Sequence, residues 1–146
     1  MRRTVCLLAV LLVVPSLGSD EPRGYEGQVT WDDGLQGAWR LVTFETPTLR
    51  INHENADPDI LTFRAGKWER SSVQISEAGT YTPSTGFAPA RLDRTYTAGA
   101  YTGSTEKLIY CIDGDRLRIA ARFKEGVRPG SFAEEALYIY TYQRMK

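Results

Sequence analysis

Residues 106–123, EKLIYCIDGDRLRIAARF, have the pattern of two short strands joined by a tight turn at Asp113-Gly114-Asp115. The primed turns of tight hairpins need positive φ angles, which glycine tolerates. After the turn, apolar side chains alternate with arginines and fall on one face of the strand: Leu117, Ile119, Ala121 and Phe123. The stretch therefore predicts a β-hairpin with one apolar face.

Further short strands are predicted on both sides of this hairpin. Aromatic and β-branched residues, separated by Gly, Pro and Asp, place them at 37–45, 60–63, 67–75, 79–82, 90–97, 106–112, 116–123 and 136–144. Helical periods are almost absent. About eight short strands at regular spacing predict an all-β fold, an antiparallel barrel, with a β-sandwich as the alternative.

Some strands are apolar on both faces. In the last strand, tyrosines alternate with aliphatic side chains: Tyr138, Tyr140 and Tyr142 against Leu137 and Ile139. In the first, strict alternation separates two apolar pairs: Trp39 and Leu41 from Val42 and Phe44. Strands that are buried on both faces need a cover outside the sheet. We expect a further segment there, with the N-terminal tail as the candidate.

The N-terminus has the composition of a secretory signal peptide. Arg2 and Arg3 precede an apolar run, Val5–Val14, and small residues at Ser16 and Gly18 suit a cleavage site. That run is about half the length that a membrane-spanning helix needs. We therefore predict a signal peptide over residues 1–18, export to the periplasm or outside the cell, and no stable membrane anchor after cleavage. A polar tail over 19–34 and a barrel domain over 35–146 would follow.

Charge and cysteine content exclude several partners. The chain has 18 basic and 18 acidic residues. Loss of Arg2 and Arg3 with the signal would leave a net charge of about −2, which argues against nucleic acid and anionic membrane as partners. Cys6 lies in the signal's apolar run, so only Cys111 would remain. No internal disulfide is then available, and we expect Cys111 to be an ordinary strand residue.

The ends of the first and last predicted strands carry a known combination of residues. Gly37-Ala38-Trp39, with Arg144, resembles the signature of lipocalin-like barrels. In those barrels the glycine permits close approach, the tryptophan plugs one end and the arginine packs over the indole ring. The first and last strands of a closed barrel are neighbours, so such residues can meet. The resemblance implies that Gly37, Trp39 and Arg144 close the barrel.

A longer resemblance covers most of residues 35–144. The segments LQGAWRLV, LTFRAGKW, GTYTPSTGFAPARLD, EKLIYCIDGDRLRIAARF and RPGSF are similar, in this order, to lipocalin-like domains common in exported planctomycete proteins. That family has no established activity, so the resemblance implies a lipocalin-like barrel and export rather than a function. The stretch 46–60, TPTLRINHENADPDI, departs from the family's usual pattern.

Residues with catalytic or metal-binding chemistry are few. His53 is the only histidine, and it lies in a polar loop without a nucleophile motif. The same loop has oxygen donors suited to Ca²⁺: Glu54, Asn55, Asp57 and Asp59. Their spacing lacks the glycine and the terminal glutamate of a calcium loop, although calcium binding stays open as an alternative. We predict no catalytic residue, no metal site and no cofactor, so the chain is not expected to be an enzyme.

Two functions suit a barrel of this size. The first is binding of a small hydrophobic ligand, with aromatic and aliphatic side chains as the candidate lining: Tyr81, Tyr110, Leu117, Ile119, Phe123 and Tyr140. The alternative is a structural or protein-interaction module of the cell envelope whose interior is filled by side chains. The arginines of the 116–123 strand, Arg116, Arg118 and Arg122, are expected to form a solvated outer face.

Overall fold

A computed structural model describes residues 32–123 and 126–146. Its strands are β1 (Gly37–Glu45), β2 (Arg50–Asn52), β3 (Ile60–Arg64), β4 (Lys67–Ser71), β5 (Ser76–Ser84), β6 (Ala90–Ala98), β7 (Thr105–Asp113), β8 (Arg116–Arg122) and β9 (Leu137–Arg144). The predicted signal peptide, 1–18, and residues 19–31 of the predicted tail lie outside the described residues.

Eight of these strands form a closed antiparallel barrel. From β3 to β9 each strand pairs with its neighbour in sequence, and β1 pairs with both β3 and β9. The short β2 is an additional strand that pairs only with the end of β1. Within the two described ranges there is no helix, and so none that could cross a membrane. The predicted all-β barrel is confirmed, and the β-sandwich alternative is excluded.

The segment between β1 and β3 and the end of β4 differ from the predicted strands. β4 ends at Ser71 rather than at Ile75, because residues 72–75 form a turn in which the Ser72 amide donates to the Ile75 carbonyl at 2.8 Å. β2 lies inside the stretch that was predicted as a polar loop. Three exposed residues are too short for alternation to identify. Both differences lie at the same end of the barrel.

A β-bulge in β1 changes which side chains face the interior. Leu41 pairs with Tyr142 and Phe44 with Tyr140, with a register shift between Leu41 and Thr43. Paired residues share a face, so the extra residue brings Phe44 to the same side as Leu41. The strict alternation expected for this strand therefore fails at the bulge. Beyond it, Phe44 adds an aromatic ring to the interior.

Large side chains fill the half of the barrel in which β1 begins and β9 ends. The most buried are Trp39, Trp68, Tyr110, Tyr142 and Phe63. Edge-to-face ring contacts connect them to neighbours, as for Phe63 and Tyr81 at 4.9 Å between ring centroids. An eight-stranded barrel is just wide enough for its own side chains. The interior of this half is accordingly a packed core.

Gly79 in β5 allows two neighbouring strands to approach closely. A Cβ atom at this position would lie 1.7 Å from the Thr95 carbonyl oxygen and 2.8 Å from Trp68 Nε1. We expect Gly79→Ala to lower the free energy of unfolding by about 1–3 kcal/mol, because strand backbone must move. Urea denaturation measures the change. Gly86→Ala is the matched control, since a Cβ there meets nothing within 4 Å. Equal losses in both variants would contradict the steric explanation.

The connection from β8 to β9 covers the outer face of the barrel. We call its residues 126–136 the strap. Phe132 of the strap packs against an outer cluster of Ile109, Ala120 and Leu137. The strap therefore supplies part of the cover that the doubly apolar strands require, whereas the tail expected in this place lies largely outside the described residues.

Charged side chains fix the strap to the sheet. Arg118 lies 4.8 Å from the Phe132 ring centroid, and Arg122 forms an ion pair with Glu134 at 2.5 Å. Arg128 donates to the Leu108 carbonyl at 2.6 Å and also pairs with Asp93. Two of the three arginines expected on a solvated face of β8 are thus engaged by the strap.

Candidate functional site

One end of the barrel is closed by side chains that form a cation–π contact and several hydrogen bonds. The Arg144 guanidinium lies 4.0 Å from the ring centroid of Trp39, which is fully buried. Trp39 Nε1 donates to the Leu35 carbonyl at 2.8 Å, and Arg144 donates to the carbonyls of Gln36 at 2.8 Å and Gly34 at 2.7 Å. The turn before β1 is therefore held across the opening at this end.

Gly37 has the backbone conformation that this closure needs. Its φ is +112°, a value that L side chains rarely adopt, and a Cβ there would lie 3.5 Å from Arg144 Nη1. The structure thus brings Gly37, Trp39 and Arg144 together at one end, where β1 and β9 are neighbours.

Most of the candidate ligand-lining residues lie in the packed core rather than on an open surface. Leu117 and Ile119 are buried there, with Tyr81 and Tyr110. The Tyr110 hydroxyl donates to Asp32 at 2.6 Å, and the Tyr81 hydroxyl accepts from Gln36 at 2.6 Å. These two tyrosines consequently help to seal the closed end and do not face an open cleft.

Phe123, another candidate lining residue, lies outside the packed core. The strand β8 ends at Arg122, and the Phe123 side chain is 56% exposed. Its ring stacks on Tyr138 at 4.0 Å, outside the packed core. The alternation that places Leu117 and Ile119 inside no longer applies where the strand has ended. Of the six candidates, Tyr140 is the one that lines the cleft at the opposite end of the barrel.

The opposite end of the barrel holds a cleft of about 430 Å³. It lies between the segment that contains β2 and the turn from β4 to β5. Apolar side chains dominate its wall: Leu41, Phe44, Ile51, Ala56, Val73, Ile75 and Tyr140. The polar lining residues are His53, Asp57, Asp59, Arg70, Ser72 and Gln74.

A largely buried ion pair lines this cleft. Arg70 Nε and Nη2 donate to the two carboxylate oxygens of Asp59 at 2.9 and 2.7 Å. The side chains are only 14% and 9% exposed. Burial alone would lower the pKa of Arg70, but the hydrogen bonds and charge of Asp59 outweigh it and raise that pKa. Arg70 therefore stays charged and fixed in one orientation.

Two aromatic rings stand beside the ion pair. Phe44 and Tyr140 lie 4.8 Å apart between ring centroids, and the Arg70 guanidinium is 5.7 Å from the Tyr140 ring. Burial is the main cause of the raised pKa of Tyr140. Its hydroxyl accordingly remains protonated at physiological pH. The cleft thus combines flat apolar surfaces with a guanidinium group of fixed position.

A second ion pair lies within the barrel. Arg94 donates to Glu106 at 3.0 and 2.6 Å, and its guanidinium lies 4.4 Å from the Trp68 ring centroid. Both buried arginines lower the pKa of Tyr140, although burial raises it by more. The interior near the cleft is therefore partly polar, with each positive charge balanced by a carboxylate.

Neither ion pair was predicted from the sequence, although a signal for both was present. Trp68 and Arg70 are two residues apart on β4, as are Arg94 and Tyr96 on β6, so each arginine shares a face with an aromatic core residue. Arginine on a strand is usually solvated, which is why these were not considered interior residues. Among the described residues, no group of three or more His, Cys, Asp or Glu side chains is placed to hold a metal ion.

No protein-family model matches this chain, and neither does any curated protein or solved structure with which it was compared. The resemblance to the lipocalin-like domains of exported planctomycete proteins stays a prediction from the quoted segments. The closed barrel, by contrast, rests on strand pairing in the structure itself.

Proposed function

We propose that this protein is an exported binding module that holds a small ligand in the cleft at the open end of its barrel. The observation that carries the proposal is the asymmetry of the two ends. One is sealed by Trp39, Arg144 and the turn before β1, whereas the other opens into a cleft of about 430 Å³. Ligand pockets in proteins typically have volumes of about 300–1,000 Å³, and the mouths of β-barrels are among the places where they occur.

The packed core limits the size of the ligand. Between the cleft and the closed end, the interior is filled by aromatic side chains that include Tyr142 and Trp68, both fully buried. A long acyl chain would need a channel through this core. A ring-sized molecule fits better, because it can lie against Phe44, Tyr140 and Ile75 without displacing the core.

The resemblance to exported lipocalin-like domains supports the same proposal. It carries no ligand with it, since that family has no established activity. Export would place the cleft in the periplasm or outside the cell.

A fluorescence titration with N-phenyl-1-naphthylamine, a neutral aromatic probe, tests the proposal. We expect saturable binding that Ile75→Trp weakens about tenfold or more, because a large ring at this lining position fills the cleft. Phe87→Trp is the matched control, since Phe87 is an exposed residue in the β5–β6 connection at the opposite end. Absence of binding to the wild-type protein, or equal affinity of the two variants, would refute binding in the cleft.

Exposed apolar side chains favour a second candidate function, a protein-interaction module of the cell envelope. The connections at the open end each expose large apolar side chains, among them Leu49, Val73, Tyr101 and Phe123. Such a concentration is typical of an interaction surface. A barrel that acts only in this way would bind no probe in its cleft, so the titration separates the two functions.

A further inference from the structure

Arg70 has a hydrogen-bond donor that no described residue uses. Its Nε and Nη2 atoms donate to Asp59, whereas Nη1 donates to no atom of residues 32–123 or 126–146. No buried side-chain nitrogen or oxygen in these ranges lacks a partner, so Nη1 is in contact with solvent. Arg70 is one of the residues that line the cleft, so a molecule bound there lies beside its guanidinium group.

The charges around the cleft restrict what can bind at this donor. Asp59 already neutralises Arg70, and Asp57 adds a further negative charge to the lining. An anionic ligand would bring another negative charge close to both carboxylates. A cationic ammonium ligand, although attracted by these carboxylates, would meet the guanidinium group of Arg70 and has no lone pair to accept its hydrogen bond. A neutral ligand with an oxygen acceptor meets neither penalty and gains a charge-assisted hydrogen bond.

From this geometry we infer that the cleft selects flat, neutral aromatic molecules with a carbonyl or similar oxygen, which accepts a hydrogen bond from Arg70 Nη1. This inference rests on the proposed function and names the ligand class of the same site. Asp59 acts as a positioning residue, because its two hydrogen bonds hold the guanidinium with Nη1 directed away from the pair. Phe44 and Tyr140 supply the flat surfaces for the ring.

Three probes with the same naphthalene ring test the inference in competition with N-phenyl-1-naphthylamine. They are 2-acetonaphthone, which has a neutral carbonyl acceptor, 2-ethylnaphthalene, which has none, and the anion 2-naphthoate. We expect 2-acetonaphthone to bind about tenfold or more tightly than 2-ethylnaphthalene, the usual gain from a hydrogen bond to a charged group. We expect 2-naphthoate to bind more weakly than 2-acetonaphthone.

A double variant tests whether Arg70 is the origin of this preference. Arg70→Met combined with Asp59→Leu removes both charges together, and we expect it to bind 2-acetonaphthone and 2-ethylnaphthalene equally. The matched control is Arg122→Met with Glu134→Leu, which removes the arginine–carboxylate pair that joins β8 to the strap on the outside of the barrel. This control should keep the full preference for the ketone.

The outcomes distinguish this inference from the proposed function. If all three probes bind the wild-type protein equally and Ile75→Trp blocks them, the cleft binds ligands but the inferred selectivity is wrong. If no probe binds, the proposed function itself fails. A double variant that keeps the preference would also overturn the inference. ¹⁵N NMR of arginine guanidinium groups in the wild-type protein provides a measurement independent of the variants, because 2-acetonaphthone should shift the Arg70 resonances and leave those of Arg122 unchanged.

Discussion

Replacing Trp39 with alanine is expected to lower the free energy of unfolding by about 3–5 kcal/mol, the usual penalty for emptying a buried aromatic site. Trp39 is fully buried, and its indole nitrogen donates to the Leu35 carbonyl at 2.8 Å. The Arg144 guanidinium lies over the same ring at 4.0 Å. Truncation would leave a cavity at the closed end and remove the surface on which Arg144 packs. Chemical denaturation followed by circular dichroism measures the loss.

Phe87→Ala is a suitable control because Phe87 has a similar cationic partner at the surface. The Arg91 guanidinium lies 3.5 Å from its ring centroid, but the Phe87 side chain is 48% exposed. A cation–π contact at an exposed site contributes about 0.5–1 kcal/mol. We therefore expect Phe87→Ala to cost less than about 1 kcal/mol. A similarly small loss for Trp39→Ala would contradict the role of Trp39 in closing the barrel.

The strands of the barrel could be predicted because their signals are local. The Asp113-Gly114 turn and the alternation of Leu117 and Ile119 each lie within a few residues of sequence, and the structure has the hairpin β7–β8 at this place. The bulge in β1 could not be predicted in this way. It depends on pairing with β9, about a hundred residues later in the chain, and no residue in β1 marks it.

The site was harder to predict than the fold, because its main residues belong to types that usually face solvent. Asp59 directly precedes β3, and Arg70 lies in β4. Only the register between these two strands brings the side chains together, and the sequence does not show that register. Tyr81 and Tyr110 were candidate ligand-lining residues because strands rich in tyrosine can line a pocket. In the structure both side chains are buried by packing at the closed end. Strand parity indicates which residues share a face but does not indicate which end of a barrel is open.

Removing Asp59 alone is expected to be the second strongly destabilising change. In Asp59→Ala, Arg70 would keep its charge in an interior position without a partner. Breaking a buried ion pair in this way costs about 3–5 kcal/mol. We expect about 3 kcal/mol, the lower end of this range, because Arg70 retains some contact with solvent in the cleft. Urea denaturation measures the loss. The exposed Arg50–Glu45 pair is the control, since Glu45→Ala should change stability by less than about 1 kcal/mol.

The double variant Asp59→Leu with Arg70→Met decides what the ion pair contributes. Replacement of a whole buried pair by apolar side chains is often neutral or stabilising, so we expect the double variant to recover most of the stability lost in Asp59→Ala. If the double variant is as unstable as Asp59→Ala, the loss of stability comes from disturbed side-chain packing and not from an unpaired charge. If stability recovers while the preference for 2-acetonaphthone disappears, the pair is not required for folding. The buried charge would then be explained by binding, because Asp59 orients a donor that a folded barrel alone does not need.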